Sequence, residues 1–391
     1  MNELYELPDG WEWSTLSDVC DLLNGFAFKA KDYVDNSNTV IIRMGNIRPN
    51  GQFDPEHKIK YLPNKYATEL SKYILNEGDL IIAMTDLATE MRILGNPTLI
   101  SNLNGRTFLL NQRVGKLYDF KYEKIVIEYL RYIITAPQVK DYYKSLGGGG
   151  LQINIGKQQI LSASFPLPPL QEQKRIVSKL DTLFDKIDKS IALHVENIKD
   201  ADAFMGSVLN DIFIELEEKY EKQAWNEVLK IRNGKHYKDV IDDNGQYPIY
   251  GSGGIMNYAN DYLCNENTVI IGRKGTINNP LFVKEKFWNI DTAFGIEANK
   301  NVLLPMFLFY FSKNFNFLDL NKSTTLPSLA KTHLLKIMMI LPPLNIQQKT
   351  VTYLDKISKK VETLKSVQKE KMESLVALKA SILDKAFRGE L

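Results

Sequence analysis

The sequence contains few of the residues from which metal centres and disulfide frameworks are built. Its 391 residues include two cysteines, Cys20 and Cys264, and four histidines. Two cysteines this far apart predict neither a disulfide scaffold nor a zinc site, and no histidine lies at metal-ligand spacing from other candidate ligands. We therefore expect no bound metal, and the two thiols fit a reducing cytoplasm.

Long apolar runs and a strong net charge are also missing. No stretch approaches the ~18 apolar residues that a membrane-spanning helix needs, and the N-terminal segment MNELYELPDGWEW has no basic start followed by an apolar stretch. The formal net charge of +2 argues against a general polycation, so any nucleic-acid surface must be local. The chain is longer than one hydrophobic core normally serves, which predicts two or more domains.

What the sequence does contain is an internal repeat. The segment LPPLQEQKRIVSKLD at residues 167–181 returns as LPPLNIQQKTVTYLD at residues 341–355, 174 residues later. The same spacing joins Ser207 to Ser381 and Phe213 to Phe387, so no insertion interrupts the block. A constant register over this length is typical of a rod-like element.

Each copy of the repeat has the periodicity of a coiled coil. Apolar residues recur at alternating spacings of three and four, over about five heptads in the first copy. His194 fills the one gap in that series, and Gln368 and Lys371 interrupt the second copy. The predicted seam comprises Val177, Leu180, Phe184, Ile187, Ile191, Ile198, Ala201, Met205, Val208 and Ile212, then Leu354, Ile357, Val361, Leu364, Leu375, Leu378 and Ile382.

Charge and chain direction predict how the two helices pair. Residues 166–222 have a net charge of −4 and residues 342–391 a net charge of +4, which favours pairing of one copy with the other. Because a compact domain separates them, the second helix should return antiparallel to the first. His194 and Gln368 share one repeat position, so they form a polar layer in the seam, or His194 lies half solvated at its edge.

Two globular regions flank the first helix. Both open on a tryptophan, an apolar segment and Asn-Gly, in WSTLSDVCDLLNG at 13–25 and WNEVLKIRNG at 225–234. Both continue with short strand-like runs, then an apolar helix at Glu123–Thr135 or Leu304–Phe315. A polar turn and a last strand precede each proline pair, so the regions are loosely aligned relatives.

These features resemble the specificity subunits of type I restriction–modification systems. The resemblance is carried by PLPPLQEQKRIVSKLD, LPPLNIQQKTV, the ending LKASILDKAFRGEL, the Trp…Asn-Gly openings and EGDLIIAM, and it covers essentially the full chain. It implies an α+β protein with a pseudo-two-fold internal repeat, in which two target-recognition domains are joined by two long helices forming an antiparallel coiled coil. The expected boundaries are 1–165 and 223–341 for the domains, and 166–222 and 342–391 for the helices.

The resemblance also implies a function. Each domain would read one half of a bipartite double-stranded DNA site, and the helices would dock two copies of a modification methyltransferase, through which restriction and translocase subunits join. A helix of roughly 65 Å, at ~1.5 Å per residue, implies an unread gap between the half-sites. No catalytic centre or cofactor is expected on this chain. In agreement, NNPLF at 278–282 lacks the second proline of a methyltransferase NPP[FY] motif, and GRKGT at 272–276 lacks P-loop spacing.

Candidate DNA contacts lie in the turns that follow the strand-like runs. In GRKGT, Gly272 and Gly275 allow close backbone approach, while the cations suit phosphates or guanine edges. The loop Thr85–Asn96 is its expected counterpart in the first region. Within SLGGGGLQ the glycines either follow a phosphate backbone closely or form a loose connector. The candidates are Arg43, Asn46, Arg48, Thr85, Arg92, Gln112, Arg113, Gly148, Gly149, Gln152, Tyr250, Ser252, Arg273, Lys274 and Thr276.

Two other functions remain open. The chain could serve a related system in which restriction and modification share one partner polypeptide, or it could be a coiled-coil scaffold whose globular ends bind protein. Salt-dependent binding to duplex DNA separates the scaffold from both DNA-reading alternatives.

Overall fold

The computed structural model describes residues 5–49, 51–89, 91–147, 151–321 and 326–391. Its contacts divide the chain into two compact units, residues 1–192 with 372–391, and residues 193–371. Each unit contains one globular region and part of each of two long helices. The domain boundaries expected from the sequence stay a prediction.

The first globular region is built from short strands and short helices. Its strands are β1 Glu12–Thr15, β2 Asp21–Asn24, β3 Thr39–Ile42, β4 Tyr61–Leu62, β5 Ile74–Leu75, β6 Leu80–Ala83, β7 Thr85–Leu87, β8 Pro97–Leu99, β9 Thr107–Leu110, β10 Val114–Tyr118, β11 Gln152–Asn154 and β12 Ser164–Leu167. Its helices are α1 Leu16–Val19, α2 Lys65–Glu69, α3 Ile127–Ile134, α4 Pro137–Ser145 and α5 Lys157–Leu161.

Two mixed-length sheets form the body of this region. One has the order β2-β10-β6-β8, with antiparallel neighbours throughout. The other has the order β4-β3-β9-β5, and its central pair, β3 and β9, is parallel. The pairs β1-β12 and β11-β7 are antiparallel. Strands β3 and β6 are buried along their whole length, which explains their continuous runs of branched apolar residues.

The first long helix and the second region follow. Helix α6 spans Leu170–Lys219. The second region contains β13 Lys222–Ala224, α7 Trp225–Val228, β14 Leu229–Asn233, β15 Tyr247–Gly251, β16 Gly254–Ala259, β17 Thr268–Gly272, β18 Leu281–Val283, β19 Trp288–Asn289, β20 Ala293–Ala298, α8 Pro305–Asn314, α9 Lys331–Leu334 and β21 Met338–Ile340. Helix α10 spans Leu344–Phe387.

The second region repeats the strand connections of the first. Its sheet β14-β20-β17-β18 matches β2-β10-β6-β8, and its sheet β16-β15-β19 matches β4-β3-β9, including the parallel central pair. The pair β13-β21 matches β1-β12. Helices α3 and α8 lie within the two apolar segments predicted to be helical. The predicted kinship of the two globular regions is therefore confirmed by topology.

The two opening tryptophans are not structural equivalents. Trp13 lies in β1, whereas Trp225 is the first residue of α7 and is fully buried. When the two segments are aligned on their shared Asn-Gly, Trp225 aligns with Leu16, the first residue of α1. The segment from the tryptophan to the glycine is three residues longer in the first region, so the two tryptophans are offset by three positions.

The long helices run antiparallel in each unit. In the first unit, Lys379 Nζ lies 2.8 Å from the Asp188 carboxylate, and Arg175, earlier along α6, donates to Leu391 O, just beyond the end of α10, at 2.6 Å. In the second, Lys365 pairs with Asp202 at 2.7 Å, and Leu354 shares a core cluster with Leu209, further along α6. Residues of increasing number along α6 therefore contact residues of decreasing number along α10, so the two helices are antiparallel.

The seam of α6 is as predicted, and the seam of α10 is as predicted except at two positions. Leu364 and Leu378 are 43% and 46% exposed. The more buried positions are Lys365 and Lys379, one residue further along. A heptad search follows apolar side chains, but the long aliphatic stems of lysines can line a helix pair as well. One residue is a rotation of about 100° on a helix, which turns both leucines towards solvent.

A buried glutamine fixes the start of α6 to the first region. Gln173 Oε1 accepts a hydrogen bond from Val126 N at 2.8 Å, and its Nε2 donates to the carbonyls of Lys124 and Pro168, both at 2.8 Å. The side chain thereby satisfies backbone groups that precede α3. Buried polar groups without such partners would destabilise the fold.

The same contact recurs 174 residues later. Gln347 accepts from Leu304 N and donates to the carbonyls of Val302 and Pro342, again at 2.8 Å. Both Gln173 and Gln347 are completely buried. The repeated sequence motif thus encodes one polar joint between helix and globular region, used twice.

A tyrosine–aspartate pair forms a second repeated joint. Tyr132 donates to Asp181 at 2.5 Å, and Tyr310 donates to Asp355 at 2.6 Å. Burial, with the neighbouring carboxylate, raises the pKa of both tyrosines well above the usual range. Both hydroxyls therefore stay protonated donors.

Aromatic contacts bring the far end of the opposite helix into each core. Phe387 of α10 lies edge-on to Tyr129, with ring centroids 5.5 Å apart. Phe213 of α6 meets Phe307 at the same centroid distance. Each globular region is therefore packed against the start of one long helix and the end of the other. Among the described residues, no helix is long and apolar enough to cross a membrane.

Candidate nucleic-acid interface

Strand ends converge at one edge of the first region. Asn111 N donates to the carbonyl of Ile42 at 3.1 Å, which joins the turn after β9 to the end of β3. Met84 N donates to Arg113 O at 3.0 Å, and Met84 O accepts from Ile155 N at 2.9 Å. We define the first loop edge as the described residues of 43–48, 84–96, 111–113 and 151–152.

The second region builds the same edge from equivalent bonds. Ile290 N donates to Tyr250 O at 3.0 Å, Arg273 N to Thr292 O at 2.8 Å, and Leu329 N to Arg273 O at 2.9 Å. We define the second loop edge as residues 250–253, 272–276, 290–292 and 326–328. Because the backbone bonds correspond one to one, the two edges are structural counterparts despite their unlike side chains.

Several predicted residues meet at the first loop edge. Arg113 Nη1 donates to Gln152 Oε1 at 3.0 Å, and both side chains are exposed. Gln112 is exposed beside them, in the turn between β9 and β10. Three side chains that can pair with base edges therefore share one accessible corner.

Two of the predicted DNA contacts, Asn46 and Thr85, are buried and hydrogen-bond within the protein. Asn46 is buried, with Nδ2 donating to the carbonyls of Asp54 and His57 while Oδ1 accepts from Arg43 N. Thr85 is also buried, and its hydroxyl donates to Asn154 Oδ1 at 2.6 Å.

Arg43 and Arg48 precede and follow the buried Asn46 in the same loop. Arg43 Nη2 donates to the Lys58 carbonyl at 2.7 Å and is half-buried. Arg48 is half-buried in a turn closed by its backbone bonds with Gln52 and Gly51. Both arginines therefore lie in a loop whose described residues are joined by hydrogen bonds.

The loop that carries Arg92 is held by buried charge. Asp86 accepts hydrogen bonds from Ile93 N at 2.5 Å and Leu94 N at 2.9 Å. Lys140 of α4 donates to the carbonyl of Leu94 at 2.5 Å and to Asn96 Oδ1. Arg92 itself is exposed.

Burial lowers the pKa of Lys140 to about 7, against the opposing attraction of Asp86. Neither Lys140 nor Asp86 was among the predicted site residues. A lone lysine in a polar helix carries no sequence signal of this role.

At the second loop edge the predicted cations are accessible. Arg273 lies over the Phe294 ring, 5.8 Å from its centroid, with Nη1 3.4 Å from Asp291 O. Lys274 and Thr276 are exposed. The turn requires glycine at Gly275, where φ is +78°.

Ser252 and Tyr250 lie on the neighbouring strand end. A Cβ at Gly272 would lie 3.0 Å from Ser252 Cβ, so Ser252 adjoins the 272–276 turn. The Tyr250 ring lies edge-on to Phe287 at 5.4 Å, and burial raises the pKa of its hydroxyl. Tyr250 therefore faces partly into the core.

The loops after β6 and β17 are counterparts, as predicted, but their arginines are not. By backbone bonding, Arg273 corresponds to Met84, and Arg92 lies in an insertion that the second region lacks. Gly148 and Gly149 lie outside the described residues.

Metal-ligand clusters and cysteine thiols were the two reactive features to examine in the described part of the chain. No group of three or more metal-ligating side chains occurs among them. Both cysteines are buried, and burial raises the pKa of Cys20 and of Cys264 to about 12, which disfavours a reactive thiolate.

Comparison with known proteins assigns the family. The model for the type I restriction modification DNA specificity domain matches residues 8–197 and 217–373. The chain belongs to this family. It is 28% identical to the MjaVIII specificity subunit of Methanocaldococcus jannaschii over 48% of this chain and 42% of that one. It is 23% identical to the putative MjaX specificity subunit of the same organism, over 100% and 95% of the two chains.

The fold is also found in a solved structure. A chain from a structural study of the assembly and conformational transition of the type I restriction–modification system superposes with a TM-score of 0.71 at 22% identity, over 99% of this chain and 100% of that one. The chain spans less than half of the MjaVIII subunit and nearly all of the MjaX subunit.

Proposed function

We propose that this chain reads a bipartite duplex DNA site, one half with each globular region, as the specificity subunit of a type I restriction–modification complex. The observation that carries the proposal is the pair of loop edges. Equivalent backbone bonds build them, and different polar and basic side chains line them. A fixed support with variable side chains is what two independent sequence readers require.

The proposed base and phosphate contacts are the accessible side chains of each loop edge. At the first edge these are Arg43, Arg48, Arg92, Gln112, Arg113 and Gln152, with Gly148 and Gly149 as proposed backbone contacts. At the second they are Tyr250, Ser252, Arg273, Lys274 and Thr276. Asn46 and Thr85 contribute by shaping the first edge.

The long helices are the proposed docking surface for two methyltransferase subunits. Large apolar residues stay exposed at matching repeat positions, Leu193 with Val367, and Phe204 with Leu378. Exposed apolar side chains retained in both copies indicate one patch presented twice. Restriction and translocase subunits would join through the methyltransferase.

Catalysis would then belong to the partner subunits, and this chain would need no cofactor of its own. A related system with a fused restriction–modification partner would use the chain in the same way. A coiled-coil scaffold without DNA affinity remains the alternative from another class. The cytoplasmic location expected from the two thiols stays a prediction.

Binding to DNA by the complex with its methyltransferase tests the proposal. Fluorescence anisotropy on a duplex carrying the methylated motif of the host should show affinity that falls steeply with salt and drops when either half-site is scrambled. Affinity without half-site discrimination would contradict sequence reading, and no affinity would favour the scaffold. Native mass spectrometry should find two methyltransferase subunits per chain, and one would contradict the repeated patch.

A matched pair of variants assigns the edges. Arg113→Ala should weaken discrimination at one half-site and Arg273→Ala at the other, each by about 1–3 kcal/mol if the guanidinium contacts a base. If both variants affected the same half-site, the assignment of one region to each half would be wrong.

A further inference from the structure

A basic segment adjoins the second loop edge. Residues 234–238, GKHYK, follow β14, and Gly234 N donates to Ala293 O at 3.2 Å. Lys235 N donates to Asn289 O at 3.0 Å, and Lys235 O accepts from Trp288 Nε1 at 3.2 Å. These bonds fix the segment beside residues 290–292.

The fit of Gly234 is too close for any other residue. A Cβ there would lie 1.7 Å from the carbonyl oxygen of Ile290. The backbone therefore passes directly over the turn that supports Arg273, whose amide bonds to Thr292 O. The side chains that follow Gly234 are held next to those of the second loop edge.

The side chains of this segment point outwards. Lys235, His236 and Lys238 are exposed, and the His236 ring stacks on Tyr237 with centroids 5.7 Å apart. Among the described residues, neither lysine ammonium lies in an ion pair, whereas Arg232 close by is paired with Glu297 at 2.7 Å. Asp239 follows Lys238 in the sequence, and Asp291 lies in the 290–292 turn.

The counterpart segment in the first region has a different use. Phe26 N donates to Leu110 O at 2.8 Å, the bond that Lys235 makes in the second region. The Phe26 ring packs against Phe28 and Tyr73, at 5.1 and 5.6 Å. The first region thus uses the position of Lys235 for its core, while the position of Lys238 is occupied there by Lys29, which is also exposed.

We propose that Lys235 and Lys238 contact phosphates of the DNA half-site that the second region reads. The inference rests on the proposed function and adds residues outside the loops already assigned to it. Phosphate contacts by lysine release counterions and position the duplex without distinguishing bases.

The test compares two double variants in the methyltransferase complex. Lys235→Gln with Lys238→Gln removes the proposed contacts, and Lys284→Gln with Lys300→Gln is the control. Lys284 and Lys300 are exposed in the same unit, but they follow β18 and β20 at the end opposite to Gly272 and Asn233. Affinity for the cognate duplex is measured from low to high potassium chloride.

The slope of log affinity against log salt should become shallower by about 1.8 in the test variant, since each phosphate contact contributes about 0.9. At 0.2 M salt that corresponds to an affinity roughly tenfold weaker or more. The control should keep the wild-type slope, and Lys235→Arg with Lys238→Arg should restore it. The methylated motif should be unchanged.

Three results would overturn the inference. These are an unchanged slope in the test variant, an equal fall in the control, or an altered base preference in the second half-site. A wild-type complex without salt-dependent duplex binding would instead refute the proposed function itself, so the two failures are distinguishable.

Discussion

The two globular regions share a support and differ at the surface that the support presents. Both build a loop edge from the same ends of the same strands, and both are fixed to a long helix through a buried glutamine and a tyrosine–aspartate pair. The first edge adds the long Arg92 loop, while the second has a short turn and an unpaired basic segment. Backbone hydrogen bonds and buried polar contacts therefore maintain the repeated fold. The exposed side chains are not part of these contacts and can differ between the two regions.

The largest expected effect tests whether each helix end belongs to one region. Phe387→Ala should cost about 3–5 kcal/mol in the first unit, and Phe213→Ala as much in the second, because each removes a buried ring. Hydrogen exchange should accelerate in α3 for Phe387→Ala and in α8 for Phe213→Ala. Acceleration of both helices by either variant would show that the two cores are not independent.

A smaller effect tests the repeated polar joint. Gln173→Leu and Gln347→Leu keep the volume but leave one amide and two carbonyls without their partner, at about 2–3 kcal/mol each. Chemical denaturation should give losses that agree within about 1 kcal/mol, since the three bonds are the same length at both sites. A large loss at one site only would mean that the joints are equivalent in geometry but not in energy.

The helix copies carry unlike residues at one shared position. His194 Nδ1 and Gln368 Oε1 lie 2.5 Å apart, and both belong to the second unit. A double-mutant cycle with alanine should give a coupling of about 1 kcal/mol in the free energy of unfolding. Exchanging the two residues should restore most of it. If the losses in the free energy of unfolding of the two single variants were additive, His194 would instead lie at a solvated edge of the seam.

The last effect concerns pH and only the first region. Burial lowers the pKa of Lys140 to about 7, so above that pH the unfolded chain binds more protons than the folded one. The free energy of unfolding should therefore rise as pH increases from about 7 towards the ordinary lysine value of about 10.4.

Lys140→Met should remove that rise, as judged by denaturation at pH 7 and pH 9, and Lys144→Met should not. The short turn of the second region is held instead by the backbone bond from Gly275 N to Pro327 O. An equal rise in Lys140→Met would assign the effect to another group.

The repeat made much of this fold predictable. Identical spacing over the helices indicated a rod, and Gln173 and Asp181 recur as Gln347 and Asp355, which make the same contacts in the second region. The globular regions were harder, because their kinship resides in backbone bonds such as Met84 N to Arg113 O, which constrain few side chains. The two openings look alike in sequence, yet Trp13 and Trp225 occupy different positions in the fold.

The candidate site was predictable in chemistry and less so in placement. Arg113, Gln152, Arg273 and Lys274 are accessible, as their loop positions indicated. Asn46 is not, because a short polar side chain in a tight turn can bond its own loop as readily as a base. No sequence pattern marked Lys140, because its role depends on helix α4 packing against the loop that carries Arg92.

Replacement of one region tests the central claim most directly. Residues 1–165 would be exchanged for the corresponding region of a relative with a different target, and the methylated motif read by sequencing that detects modified adenine. The account predicts that one half of the motif changes to that of the donor while the other half stays the same. A change in both halves together would contradict the account of two independent readers.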